Sequence, residues 1–149
     1  MSNEEFPHLP TFDPSDSQTY SAICHCGTVQ YTVTLSPPLA KQKVVECNCS
    51  ICSRNGYLLV YPLREQVDIK SGEEALKSYS FGIKRNRHLF CGRCGSSVFF
   101  DPRMPEFGES PDIFPVNVRM FKDVNLKELQ IVHWDGLNKS RFVDSEHLQ

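Results

Sequence analysis

Residues 44–56, VVECNCSICSRNG, decide how this chain is organised, because they place three cysteines within six residues. Cys47, Cys49 and Cys52 are too close in sequence to form unstrained disulfides with one another readily, but they can chelate a single ion. A structural zinc site usually has four protein ligands, whereas three ligands and an open position are typical of a catalytic zinc. The stretch therefore predicts a metal site whose fourth ligand has to be found.

The other four cysteines form two pairs that flank this stretch in the sequence. One pair stands in Cys24-His25-Cys26-Gly27 and the other in Cys91-Gly92-Arg93-Cys94-Gly95, which has the form of a zinc knuckle. Counting ligands, the two pairs together supply the four thiolates that close a tetrahedral site. Gly95 permits a positive φ, which lets backbone N–H groups turn towards a sulfur. We call these residues the four-cysteine cluster, and Cys47, Cys49 and Cys52 the three-cysteine cluster.

Three alternatives remain open for the three-cysteine cluster. It could hold a zinc ion with one open position, it could be closed by His25, His88 or His133, or it could stay reduced without a stable zinc. Zinc with three thiolates carries a formal charge of −1, so it is a weak Lewis acid and suits hydrolysis poorly. Such a centre favours a soft incoming ligand, and a thiol is the softest common biological one. The residues themselves therefore indicate thiol chemistry rather than amide or ester hydrolysis.

Composition limits the class of protein. The chain has 149 residues, a formal net charge of −2 and 40% hydrophobic residues, which is typical of one globular domain. This balance gives no electrostatic reason to expect nucleic acid or a membrane as a partner. The N-terminal sequence lacks the pattern of a secretory signal, so we expect a reducing, cytoplasmic location. We predict a flexible arm over residues 1–19, a zinc-binding domain over 20–140 and a tail over 141–149.

Short apolar segments with frequent turns predict an all-β fold of roughly eight strands, with at most one or two short helices. Two of these strands should flank a turn at Ser71-Gly72. A short helix is expected near residues 123–129, capped by Asp123 or Asn125, and another within residues 50–56. The predicted strands are 29–35, 43–47, 57–63, 67–72, 76–81, 86–91, 96–101, 112–121 and 129–134.

The order of these motifs resembles the glutathione-dependent formaldehyde-activating enzyme family, which also includes centromere protein V. The motifs are Cys-His-Cys-Gly before a strand, Cys-Asn-Cys-Ser-x-Cys-x-Arg, and Phe-Cys-x-x-Cys-Gly-Ser, and the resemblance covers about residues 20–135. It implies a β-tent fold of antiparallel sheets organised around two zinc ions. In this family pattern Cys24, Cys26, Cys91 and Cys94 match the ligands of a structural zinc, and Cys47, Cys49 and Cys52 match those of a catalytic zinc.

The resemblance also implies an activity, a zinc-dependent carbon–sulfur lyase that joins a small thiol such as glutathione to a small electrophile such as formaldehyde. The substrate sulfur would take the open position of the three-cysteine zinc. The alternative is a non-enzymatic zinc module that binds a protein partner, and a third interpretation is a thiol-responsive sensor. Neither nucleic acid nor a membrane is expected as a partner, and the acidic N-terminal arm, unlike the basic extension of centromere protein V, argues against a chromatin role.

A few polar residues near the cysteines are weaker candidates. Arg54 could hold an anionic group of the substrate, although a solvated arginine is the simpler interpretation. The basic segment 82–88 is more simply a charged turn than a binding lip. We expect Asn48 and Ser50 to form hydrogen bonds with the thiolates, and His133 to be a packed side chain.

Overall fold

The structure is a computed structural model that describes residues 12–139. The N-terminal part of the predicted arm and the predicted tail over 141–149 therefore lie outside the described residues. The first strand begins at Gln18, so it includes the last two residues of the predicted arm. Of the helices in the described part, none is long and apolar enough to cross a membrane.

The described chain forms ten strands in two sheets, which confirms the predicted all-β class. The smaller sheet has the order β1-β2-β5 and the larger sheet the order β10-β3-β4-β9-β8-β7-β6. The strands are β1 (Gln18–Ile23), β2 (Gln30–Leu35), β3 (Lys43–Cys47), β4 (Leu59–Val60), β5 (Val67–Ser71), β6 (Leu76–Tyr79), β7 (Arg87–Cys91), β8 (Ser97–Asp101), β9 (Val116–Asn117) and β10 (Gln130–Trp134).

The smaller sheet begins with an antiparallel hairpin. β1 pairs with β2 over its whole length, from Gln18 opposite Leu35 to Ile23 opposite Gln30. Tyr31, Val33 and Leu35 are buried and alternate with more exposed residues, as expected for a strand with one face in the core. This hairpin delivers Cys24, the residue directly after β1, to one end of the sheet.

The larger sheet differs from the antiparallel prediction at one edge. β10 pairs with β3 in parallel, which sets Trp134 opposite Cys47. The last strand of the chain therefore lies beside the strand that leads into the three-cysteine cluster. Sequence patterns describe each strand alone, so they carry no signal for the direction of this long-range pairing.

Two predicted strands are shorter in the structure. The segment 57–63 contributes only β4, and the segment 112–121 contributes only β9. Pro62 and Pro115 lack the N–H that would extend the ladder. The buried Asn117 side chain instead accepts the N–H of Leu58 and donates to the carbonyl of Ser97. Hydrogen bonds of the Asn117 side chain thus connect β9 to the residue before β4 and to the first residue of β8.

The segments around Ser71-Gly72 are both strands, but they do not pair with each other. β5 pairs with β2 and β6 pairs with β7, so the chain changes sheets between them. A 3-10 turn at Glu73–Ala75 makes this crossing.

The described helices are short, as predicted. α1 (Ser50–Asn55) confirms the helix expected within residues 50–56. The expected helix near 123–129 is only a 3-10 turn at Leu126–Glu128, although Asn125 caps it by accepting the N–H of Lys127. α2 (Gly136–Lys139) begins two residues after the end of β10 and had no counterpart in the sequence prediction.

The main core lies between the two sheets. Tyr31 of the smaller sheet packs on Phe99 of the larger one, with ring centroids 4.7 Å apart. A second cluster of buried residues surrounds the three cysteines and includes Val45, Tyr57 and Tyr61. The three-cysteine cluster is therefore part of a packed region of the protein.

Candidate metal centres

The four-cysteine cluster joins the two sheets. Cys24 and Cys26 follow β1 of the smaller sheet, whereas Cys91 ends β7 and Cys94 lies in the turn before β8 of the larger sheet. The sulfur atoms of all four lie within 4.8 Å of one another. The structure thus brings together the two pairs that ligand counting assigned to each other.

The spacing of these sulfur atoms fits a zinc ion. Cys26 Sγ lies 3.6 Å from Cys24 Sγ and 3.8 Å from Cys91 Sγ. A tetrahedron with zinc–sulfur bonds of about 2.3 Å has sulfur–sulfur edges of about 3.8 Å. The donor set is soft and complete, so it fits a structural zinc and leaves no position for a substrate.

Hydrogen-bond donors surround the same sulfur atoms. The N–H of Val29 donates to Cys24 Sγ over 3.3 Å, and Ser96 Oγ lies 3.2 Å from Cys94 Sγ. The contact with Ser96 is the main reason that the pKa of Cys94 is lowered to about 5. Gly95 has φ of +81°, as its position after the ligand predicted. Such donors stabilise thiolate charge, which metal binding requires.

The three-cysteine cluster lies where β3 ends and α1 begins. Cys47 is the last residue of β3, Cys49 is the N-cap residue of α1, and Cys52 is buried within the helix. Their sulfur atoms lie within 4.8 Å of one another. Among the described residues, no histidine or carboxylate joins this group. Three sulfur ligands without a fourth fit a zinc ion that keeps one position for another ligand.

The three thiols differ in their tendency to ionise. Hydrogen bonds from the Cys47 and Cys52 thiols, followed by the N–H groups of Cys52 and Ile51, lower the pKa of Cys49. The neighbouring Cys47 and Cys49 side chains raise the pKa of Cys52. Three adjacent thiolates repel one another, so each ionised cysteine opposes the ionisation of its neighbours. A bound cation would remove this repulsion and allow all three to ionise.

The three histidines considered as a fourth ligand are engaged or exposed elsewhere. His25 is exposed, and its backbone N–H donates to Ser96 Oγ. The Nδ1 atom of His88 lies 3.1 Å from the hydroxyl of Tyr57. His133 is exposed and lies 3.5 Å from Glu46, so the expectation of a packed side chain is wrong.

Gly136 forms a close lid over the three-cysteine cluster. It is buried, and a Cβ atom at this position would overlap the sulfur of Cys47 and touch Cys49. Asn48 holds this lid, because its side chain donates to Asp135 and accepts the N–H of Leu137. Asn48 therefore positions the segment that covers the sulfur atoms. Its side chain makes these two contacts instead of the expected hydrogen bond to a thiolate.

A cavity of about 450 Å³ opens beside Cys47 and Cys52, which is within the size range of small-molecule sites. Glu46, His133 and Arg119 bring charged or titratable side chains to its wall. Arg119 Nε donates to the carbonyl of Gly56, and among the described residues none accepts a hydrogen bond from its terminal amino groups.

Sequence reasoning missed Arg119, because it follows the short β9 and is far from the cysteine motifs in the chain. The weaker candidates from the sequence, Arg54 and Arg85, have partners away from the cysteine clusters or within their own helix. Arg54 donates to the carbonyl of Ser50 in its own helix. Arg85 of the basic segment forms an ion pair with Glu109.

Comparison with known proteins agrees with this geometry. The family model of the glutathione-dependent formaldehyde-activating enzyme matches residues 19–128, which includes every cysteine of both clusters. The chain belongs to this family. A Rhodobacter sphaeroides protein of known crystal structure shares 31% sequence identity with it, at a TM-score of 0.65. The match covers 76% of this chain and 98% of that protein.

Membership in the glutathione-dependent formaldehyde-activating enzyme family confirms the resemblance seen in the cysteine motifs. It associates the fold with formaldehyde activation, with glutathione as the thiol named by the family. Within residues 12–139, two cysteine clusters could hold metal ions.

Proposed function

We propose that the protein is a zinc-dependent carbon–sulfur lyase that acts on a small thiol or its carbonyl adduct, with glutathione and formaldehyde as the reference pair. The observation that carries the proposal is the three-cysteine cluster, which lies beside a cavity and has no fourth histidine or carboxylate among the described residues. Family membership supports the same reaction class.

The two clusters would have different roles in this proposal. Cys24, Cys26, Cys91 and Cys94 would hold a structural zinc, because four sulfur ligands saturate a tetrahedral ion. Cys47, Cys49 and Cys52 would hold a catalytic zinc, which would keep a substrate thiol in its deprotonated form at neutral pH. The reaction then joins this sulfur to a carbonyl carbon, or releases it in the reverse direction.

The residues of the cavity would bind and orient the body of the thiol. The guanidinium of Arg119 suits a substrate carboxylate, since Arg119 lines the cavity and no described residue accepts a hydrogen bond from its terminal amino groups. Glu46, which also lines the cavity, suits an ammonium group. Glutathione carries both kinds of group, so these charges favour a zwitterionic thiol over a neutral one. We expect the protein to act in a reducing compartment, where its seven free cysteines stay reduced.

The proposal is tested by combining metal analysis with a rate measurement. We expect one zinc per cluster, with the ion of the three-cysteine cluster removed first by a mild chelator. NMR with ¹³C-labelled formaldehyde and glutathione should show adduct formation faster than the protein-free rate, and mild chelation should abolish the acceleration. A single tightly held zinc and no acceleration would instead favour a non-enzymatic zinc module.

A further inference from the structure

A buried pair of polar side chains, Tyr57 and His88, lies in the aromatic layer behind the three-cysteine cluster. Tyr57 is 1% exposed and His88 is 5% exposed, and the tyrosine hydroxyl lies 3.1 Å from His88 Nδ1. The His88 ring packs between Phe81 and Phe100, with centroids 5.8 and 5.5 Å away. A buried polar pair needs an explanation, because an apolar replacement would fill the same space without desolvating polar groups.

The pair lies within reach of the cysteines. Tyr57 packs in the same cluster as Cys47 and Cys52, and it lines the cavity that these two cysteines also line. The backbone N–H of Tyr57 also donates to the carbonyl of Cys52 over 3.2 Å. The tyrosine is therefore tied to the helix that carries the cluster, and His88 is tied to it through the tyrosine hydroxyl.

The surroundings of the other ring nitrogen, Nε2, indicate which nitrogen of His88 carries the proton. Among the described residues, nothing forms a hydrogen bond with the buried His88 Nε2. Burial lowers the pKa of His88 to about 4, so the ring is neutral at neutral pH and carries one N–H. An orphaned buried N–H is rarer in proteins than an acceptor without a partner. The proton is therefore assigned to Nδ1, which donates to the oxygen of Tyr57.

This assignment leaves the hydroxyl proton of Tyr57 available. Since the oxygen accepts from His88, its own O–H can point away from the histidine. Burial raises the pKa of Tyr57 and outweighs a side-chain hydrogen bond with Asn55, which lowers it, so the group keeps its proton at neutral pH. The result is a neutral hydrogen-bond donor that is held in place before any substrate arrives.

We propose that the Tyr57 hydroxyl, positioned by His88, donates a hydrogen bond to the oxygen of the carbonyl electrophile as the substrate sulfur adds to its carbon. This inference rests on the proposed function. A sulfur lone pair forms the new carbon–sulfur bond, and the π pair of the carbonyl moves to the oxygen. The proton that the thiol released finally neutralises this oxygen, so no oxidant, reductant or further reactant is needed. Tyr57 stabilises the developing negative charge and keeps its own proton.

Substitution of the tyrosine tests the role of its hydroxyl. Tyr57→Phe should lower kcat by about 100-fold, the scale found when one donor to a developing oxyanion is removed. The KM for the thiol and the zinc content should stay unchanged, because the proposed role of the hydroxyl concerns the carbonyl oxygen and Tyr57 is not among the metal-binding residues. Tyr31→Phe is the matched control, since Tyr31 is also 1% exposed and its hydroxyl has no hydrogen-bond partner among the described residues. The control should keep the wild-type kcat.

The role of His88 is tested by rescue and by its tautomer. His88→Asn keeps an N–H donor near the position of Nδ1 and should retain more activity than His88→Leu. Nitrogen-15 NMR of the resting protein should show the neutral Nδ1–H tautomer, a readout that does not depend on activity. An Nε2–H tautomer, or a wild-type kcat in Tyr57→Phe, refutes the inference while leaving the proposed function intact. A wild-type protein that forms no adduct would instead overturn the proposed function itself.

Discussion

Replacing one cysteine in each cluster should separate the two proposed metal sites. Cys94→Ser removes a ligand from the four-cysteine cluster, and Cys49→Ser removes one from the three-cysteine cluster. The first cluster links positions far apart in the chain, since Cys26 and Cys91 are 65 residues apart. The second links only residues 47–52. If both clusters bind zinc, the two substitutions should therefore differ in their effect on folding.

The size of this difference follows from the loops that each cluster closes. On the chain-entropy scale for cross-links, closing a loop of roughly 65 residues stabilises the folded state by about 4 kcal/mol, and closing one of roughly five residues by about 2 kcal/mol. Cys49 is also the N-cap residue of α1 and makes no capping hydrogen bond through its side chain. Serine is a preferred N-cap and should return about 1 kcal/mol. The expected net losses are about 4 kcal/mol for Cys94→Ser and about 1 kcal/mol for Cys49→Ser.

Thermal unfolding and metal analysis measure both effects. For a domain of this size, 1 kcal/mol corresponds to roughly 2–4 °C, so Cys94→Ser should lower the Tm by about 12 °C and Cys49→Ser by about 3 °C. Each variant should lose one zinc, and Cys49→Ser should also lose activity. Cys94→His is the matched control, because three cysteines and one histidine still close a zinc site. Equal losses of Tm in the two serine variants would show that the division of roles is wrong.

Three further predictions concern the surroundings of the three-cysteine cluster. Arg119→Ala should raise the KM for glutathione about tenfold but leave the KM for 2-mercaptoethanol unchanged. Arg54→Ala is the control and should alter neither KM, because the Arg54 side chain forms a hydrogen bond within its own helix. Equal effects of Arg119→Ala on both thiols would exclude carboxylate binding. Gly136→Ala should displace the sulfur of Cys47 and lower the zinc occupancy of this cluster, because the added Cβ would overlap that sulfur. Retention of both zinc ions would contradict this prediction and show that α2 can move to make room. Burial lowers the pKa of His88 from 6.5 to about 4, so the unfolded state binds the proton first as the pH falls through 6.5. Between pH 7 and pH 4, the free energy of unfolding of the wild type should therefore fall by about 3 kcal/mol more than that of His88→Asn. Parallel pH profiles of the two proteins would contradict this prediction.

The sequence predicted those parts of the site whose signal is local. The cysteine spacings identify both clusters, and the alternation of Tyr31, Val33 and Leu35 identifies a strand. α1 was also predictable, because residues 50–56 end in Gly56, which adopts the left-handed conformation that closes the helix. Each of these signals lies within one turn or one strand, and only the assignment of the two cysteine pairs to one site required ligand counting.

The remaining features depend on contacts between distant segments. The parallel pairing of β10 with β3 brings Gly136 onto Cys47, although 89 residues separate Asn48 from its partner Leu137. No periodicity in either segment encodes that contact, since each strand would read the same in an antiparallel pair.

The pairing of Tyr57 with His88 shows how the same limitation affects function. The sequence suggested His88 as a metal ligand or as part of a basic segment, because a histidine near cysteine motifs suggests coordination. The structure instead places its Nδ1 atom 3.1 Å from the hydroxyl of Tyr57, which is 31 residues away in sequence. The sequence therefore identified the atoms that could hold a metal, while the group proposed to act on the substrate oxygen emerged only from the folding of β7 against the segment that follows α1. In a family whose motifs consist of metal ligands, such buried polar pairs are where differences in the choice of electrophile should be sought.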